Sequence, residues 1–156
     1  MKIAIAAAVT VFMSALPFAV NAAPVANFEV RLVVECVRGM AAFELETKDA
    51  TKTPERLCVS PDVILSQADV VKVMKTQRDK YEGPILAITY GEAAQARVSQ
   101  ITRESVGHRM AIMTKGRVLS APVILQPLLG TSLVVSGQTE DIDQLLKDLT
   151  NGARPL

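Results

Sequence analysis

The stretch KGRVLSAPVILQPLLG, Lys115 to Gly130, is the segment on which the fold turns. Pro122 and Pro127 exclude a continuous helix across it, because proline lacks the backbone N–H and its ring collides with the preceding turn. Its apolar content is equally wrong for an ordinary solvated loop. Lys115-Gly116 reads as the turn of a hairpin. Pro122 then lets the second strand leave its ladder, since proline has no donor to give it. Pro127 to Gly130 carries the chain into another strand. With MAIMT before it, the segment predicts strand, turn, strand and then an apolar connection.

The same period extends outward. FEVRLVVECV, Phe28 to Val37, alternates, with Phe28, Val30, Leu32, Val34 and Cys36 on one face and Glu29, Arg31 and Glu35 on the other. Period two with β-branched residues predicts a half-buried strand. MAAFELET predicts a second, with Ala41, Phe43 and Leu45 inward. RLCV, Arg56 to Val59, predicts a short third one that brings Cys58 back towards Cys36. Ser66 to Asp69 has the spacing of a helical turn, and the β-branched run after it favours a strand hairpinned to Ile85–Tyr90. SLVVSG reads as another short strand.

Two helices complete the pattern. In GEAAQARVSQITRESVG, Ala94, Val98 and Ile101 line one face, opposite Gln95, Arg97, Gln100 and Arg103, and Gly107 suits the exit. Near the end, Thr139 is a natural N-cap and Glu140, Asp141 and Asp143 suit the positive end of the helix dipole. Ile142, Leu145, Leu146 and Leu149 form the i, i+3, i+4, i+7 stripe. Hairpin strands with two or three helices on one face predict an α+β domain with a mostly antiparallel sheet.

The first residues have the pattern of a secretory signal peptide: Lys2, an apolar run Ile3–Val20 interrupted by Pro17, and Val20-Asn21-Ala22 as a cleavage site. The alternative is an uncleaved membrane anchor, whose length the run approaches; the proline and the cleavage site favour removal. A lipid anchor needs a cysteine directly after the run, and the first cysteine is Cys36. Residues 1–22 are thus expected to be removed, leaving one domain, 23–151, and a short tail, 152–156. Removal takes away one lysine and no acid from the 17 bases and 16 acids, so the expected mature chain is close to neutral. That balance argues against nucleic acid, and no later run is long enough to span a membrane. The expected location is the periplasm.

The even cysteine count in an exported chain is most simply a disulfide, Cys36–Cys58, closing a loop worth about 3 kcal/mol in the chain-entropy model. Two buried free thiols are the alternative. One distant histidine and two cysteines make no metal set. No nucleophile elbow, phosphate loop or His-Glu-x-x-His motif is present, and no cofactor is expected. His108 reads as a turn residue, and the chain as a non-enzyme. A pocket that gathered His108 with carboxylates would favour the opposite view. Leu125, Pro127, Leu128 and Leu129 form the candidate interaction surface, because apolar residues on an irregular segment can stay open to a partner.

The ordered pieces FEVRLV, PDVILSQADV, PILAITYG, ITRESVGHRMAIMTKGRVLSAPVI and VVSGQTEDIDQLLKDL resemble the head subdomain of the first periplasmic domain of SecD, a protein-export accessory protein. The matches include Thr102, Val106, Gly107, Ala111, Ile112, Gly116, Val118, Leu119, Ser120, Ala121, Pro122 and Ile124, then Ser136, Gly137 and Thr139. The resemblance runs over about residues 28 to 151. It departs where the family's LtG, Dg and fT are LSQ, KG and QT here, and it does not extend to the membrane helices or the base subdomain. It implies contact with emerging polypeptide or another envelope protein, without the proton-driven motor. The alternative it leaves is a dedicated adaptor for one envelope complex.

Overall fold

A computed structural model describes residues 27–45, 51, 53–77 and 83–151. The expected signal segment 1–22 and tail 152–156 lie outside the described residues. The elements are β1 (Glu29–Val34), β2 (Ala42–Glu44), β3 (Arg56–Ser66), β4 (Val70–Gln77), β5 (Pro84–Tyr90), α1 (Glu92–Glu104), β6 (Met110–Thr114), β7 (Arg117–Ser120), β8 (Ser132–Ser136) and α2 (Thr139–Asn151). Every strand-to-strand ladder is antiparallel. The class is α+β, and the strands divide into two sheets, β2-β3-β1-β6-β7 and β4-β5-β8.

The five-stranded sheet is curled. Its two edge strands meet again where Leu45 bridges Val118 in parallel, so neither edge is left open there. Apolar residues alternate to both faces, because β6 (MAIMT) carries no charge and is buried throughout. Met110 and Ile112 enter the main core, together with Phe28, Val30, Ile64 and Leu65. Ala111 and Met113 enter a second core inside the curl, with Leu57, Val59 and Val118. The outer face predicted for β1 is therefore only partly solvated, since Val33 packs against this second core. Phe43 and Leu45 pack there too, as expected, whereas Ala41 is exposed.

The third strand is far longer than RLCV. β3 continues from Arg56 through Pro61 to Ser66. Its register against β1 steps from Val33↔Val59 to Arg31↔Val63, so the extra residues around Pro61 bulge out of the ladder. A bulge removes the proline's missing donor from the pairing. Arg31 reaches across to the carbonyls of Ser60 and Pro61. The turn at Ser66 then forms as expected: a 3-10 turn spans Gln67–Asp69, and the Asp69 carboxylate accepts from the Ser66 N–H (2.8 Å) and hydroxyl (2.9 Å).

The chain leaves that turn as β4, hairpinned to β5. The inner face of this smaller sheet carries the rows Val73–Ile88–Leu133 and Lys75–Leu86–Val135. α2 packs against β4 and β5, with Ile142, Leu145 and Leu149 in the main core. α1 packs against β3. α2 begins at Thr139, one residue earlier than a Thr139 cap requires, and the Ile142 N–H bonds to the Gln138 carbonyl at 3.0 Å.

Candidate functional site

The segment between β7 and β8 is a strap laid across the end of the main core. β7 stops at Ser120, yet the strap keeps bonding beside the approach to β6. The Met110 N–H meets the Pro122 carbonyl (3.0 Å), the Ile124 N–H meets the His108 carbonyl (2.8 Å), and the Gly107 N–H meets the Ile124 carbonyl (2.8 Å). Further along, the Leu128 N–H donates to Thr102 Oγ1 (2.9 Å) and Gln95 Nε2 donates to the Leu129 carbonyl (2.7 Å), both from α1. The Tyr90 hydroxyl donates to the Gly130 carbonyl (2.9 Å). Burial pushes the Tyr90 pKa up, keeping it a donor well above neutral pH.

This pinning sorts the four predicted surface residues. Ile124 turns inward into the core and Leu128 packs against it. Pro127 is half-buried. Leu125 and Leu129 point out, 85% and 60% exposed. Val106 and Val123 are exposed beside them, and the Gly107–Ile124 bond sets the two chain segments side by side. The strap is thus an ordered apolar ridge: fixed by its backbone, with leucines left in water.

Thr102 is the residue sequence reading placed least well. It lies on the buried face of α1 with Ala94 and Val98, where Ile101 was expected to be the third member; Ile101 is half-buried. Its hydroxyl donates to the Val98 carbonyl (2.7 Å) and accepts from Leu128. The signal was the i, i+4, i+8 spacing of Ala94, Val98 and Thr102, masked by treating threonine as polar.

Two carboxylates tie the framework together. Arg97 donates to Asp69 (2.8 Å) and to the Ile64 carbonyl (2.9 Å), joining α1 to β3. Burial raises the Asp69 pKa, but bonds from Ser66 and Arg97 outweigh it and the net shift is downward. Asp148, on α2, is buried and accepts from Lys115 (2.6 Å), Thr114 (2.7 Å) and Gln144 (2.9 Å). Burial again raises the pKa, and those bonds with the Lys115 charge take it below the usual value. Lys115 and Gly116 both have positive φ, as the two-residue hairpin turn requires. The lysine of this turn is therefore one whose ammonium pairs with α2.

Cys36 and Cys58 form a disulfide, 22 residues apart, beside the Val34↔Cys58 pairing of β1 and β3. Near it, Leu32–Glu35, Glu104, Ser105, His108 and Arg109 line an open groove of about 760 Å³. His108 and carboxylates do share this groove, as an enzyme would need. Among the described residues, no side-chain hydrogen bond joins His108 to Glu35, Glu104 or Ser105. Arg109 is taken by Glu55 at 2.6 Å. No cluster of three metal-ligating side chains occurs among the described residues.

Comparison with known proteins matches the strap and its surroundings to a family. The model of the SecDF P1 head subdomain covers residues 43–155. The protein translocase subunit SecD of Magnetococcus marinus is 31% identical over 114 residues, 72% of this chain and 22% of that one. The translocase subunit SecDF of Thermus thermophilus is 30% identical over 80 residues, 50% of this chain and 11% of that one. The chain therefore spans a quarter or less of these relatives' length. A solved structure of SecDF, a membrane component that enhances protein export, superposes with a TM-score of 0.60 at 22% identity, over 84% of this chain and 64% of that one, which supports the fold. With its model matched over most of the chain, the protein belongs to the SecDF P1 head subdomain family.

Proposed function

We propose that this protein is a periplasmic binding module of the SecD-head type that contacts exported polypeptide without motor activity. In this reading residues 1–22 direct export and are removed. The observation that carries it is the ridge of Leu125 and Leu129, open to water on a strap whose backbone is fixed by Thr102, Gln95 and Tyr90. A flexible loop would lose much of its contact energy to ordering, and this one is already ordered. An apolar ridge without charge suits sequence-tolerant contact with unfolded chain. Family membership in a component of the export machinery supports the same direction. Among the described residues, no helix is long and apolar enough to cross a membrane.

The test is site-specific photo-crosslinking in cells from positions 125 and 129, one at a time. Adducts to several different exported polypeptides support the proposal. One stoichiometric adduct identifies a dedicated envelope partner, which is the adaptor reading. No adduct from 125 or 129 refutes the ridge as a contact surface.

A further inference from the structure

We infer that β8 is a strand-addition edge: an extended, uncharged polypeptide segment pairs with it as a fourth strand of the smaller sheet. The inference rests on the polypeptide-contact reading above and gives it a mode. The two sheets have four edges between them. Those of β2 and β7 close on each other through Leu45 and Val118. β4 is guarded by a register irregularity between Val70 and Lys72 and by two lysines, Lys72 and Lys75, the devices that keep edges from pairing. β8, SLVVS, has none of them. It contains no charge and no proline, its register against β5 is continuous, and its flanks from Gly130 to Gln138 are also uncharged.

The backbone geometry says what fits. The Tyr90 N–H bonds to the Thr131 carbonyl, which makes Tyr90 and Thr131 a hydrogen-bonded pair. Bonded and non-bonded pairs alternate along an antiparallel ladder. Leu133 and Val135 therefore bond towards β5, while Ser132, Val134 and Ser136 direct their N–H and C=O groups outward. Among the described residues no strand lies on that side, and all three residues are exposed, Val134 by 58%. A row of alternating donors and acceptors in water is complementary to another extended strand. Val134 continues the outer-face row Met74–Ala87–Val134, so the incoming residue beside it meets an apolar neighbour.

Size decides between occupants. A stable interface takes roughly 20–30 residues a side, and β8 offers five. A second copy joined through this edge alone falls short, whereas a passing extended segment needs no more than a strand's length and binds transiently.

The test uses the full-length purified protein and a fluorescent seven-residue peptide of alternating threonine and valine, blocked at both ends. Its counterpart carries N-methyl groups on every backbone amide, which removes the donors of both edges and leaves the protein untouched. The inference predicts binding of the first peptide, about tenfold or greater weakening for the second, and slowed amide exchange at Val134. Val134→Pro, which removes an outward N–H where an edge strand tolerates proline, produces the same loss with unchanged circular dichroism. Equal binding of both peptides overturns the inference. So does a concentration-dependent dimer in sedimentation that Val134→Pro abolishes, because the edge then belongs to a second copy. Binding of a full-length unfolded polypeptide equally by wild type and Val134→Pro overturns strand addition while leaving the broader reading intact. Binding of neither peptide nor unfolded polypeptide overturns both.

Discussion

Replacing Thr102 with valine separates the strap from the rest of the fold. The side chain is fully buried, and valine keeps its branched shape, so the main core loses little volume. What is lost is the Oγ1 that accepts from the Leu128 N–H at 2.9 Å. A buried donor left without a partner costs about 1–3 kcal/mol. Leu128 is half-buried, so water reaches part of the freed N–H and the lower half of that range applies, about 1–2 kcal/mol. The hydroxyl's own donation to Val98 duplicates an acceptor already used by the helix and adds little. Urea unfolding should therefore show an unfolding free energy lowered by that amount, read as a lower midpoint with an unchanged slope. Hydrogen exchange should localise the loss: the Leu128 amide exchanges about tenfold faster or more, while amides of β6 keep their relative protection. Thr102→Ser, which retains the acceptor, should restore most of the Leu128 protection. If Thr102→Val leaves the Leu128 amide as protected as in wild type, the strap is held by its apolar contacts and the hydrogen-bond account is wrong.

Three further outcomes follow from the same framework. Reduction of Cys36–Cys58, or the double serine variant, frees a loop of 22 residues and should lower stability by about 3 kcal/mol in the chain-entropy model; an unchanged denaturation midpoint under reducing conditions would count against it. The Asp148 carboxyl titrates lower in the folded chain than in the unfolded one, so its contribution is fully present above its unfolded pKa and disappears as pH falls through the folded value. Asp148→Asn should flatten the acid limb of stability against pH, and a limb as steep as wild type contradicts the assignment. Val118→Ala opens a cavity in the curl between Leu57, Ala111 and Met113 and should cost on the order of 1–3 kcal/mol by thermal or urea unfolding.

The readable parts of the fold are those set by local chemistry. The Lys115-Gly116 turn, the Ser66–Asp69 turn, both helices and the β4–β5 hairpin follow from period, turn residues and charge placement. The missed parts depend on long-range pairing. Pro61 argues for a break, and only its neighbours in β1 show that a bulge absorbs it and that β3 runs on to Ser66. The uncharged MAIMT does not reveal two buried faces, because an apolar run is the same whether one core or two receive it. Leu125, Pro127, Leu128 and Leu129 were recognisable as an unusual cluster, but their division into inward and outward residues depends on Thr102 and Gln95, which arrive from another element. The gathering of His108 with Glu35 and Glu104 was equally invisible, since β1 and the end of α1 are far apart in the chain.

The account stands most directly on the two exposed leucines. The decisive measurement is the affinity of the purified protein for a fluorescently labelled, reduced and carboxymethylated exported protein, compared with that of the double variant Leu125→Ser, Leu129→Ser. Both side chains lie mostly in water, so their removal should leave thermal stability nearly unchanged. Burying a leucine is worth roughly 1.5–3 kcal/mol when complete, so losing two partly covered contacts should weaken binding by about tenfold or more. Equal affinity of the variant and the wild type would contradict the claim that this ridge is where the protein meets unfolded chain.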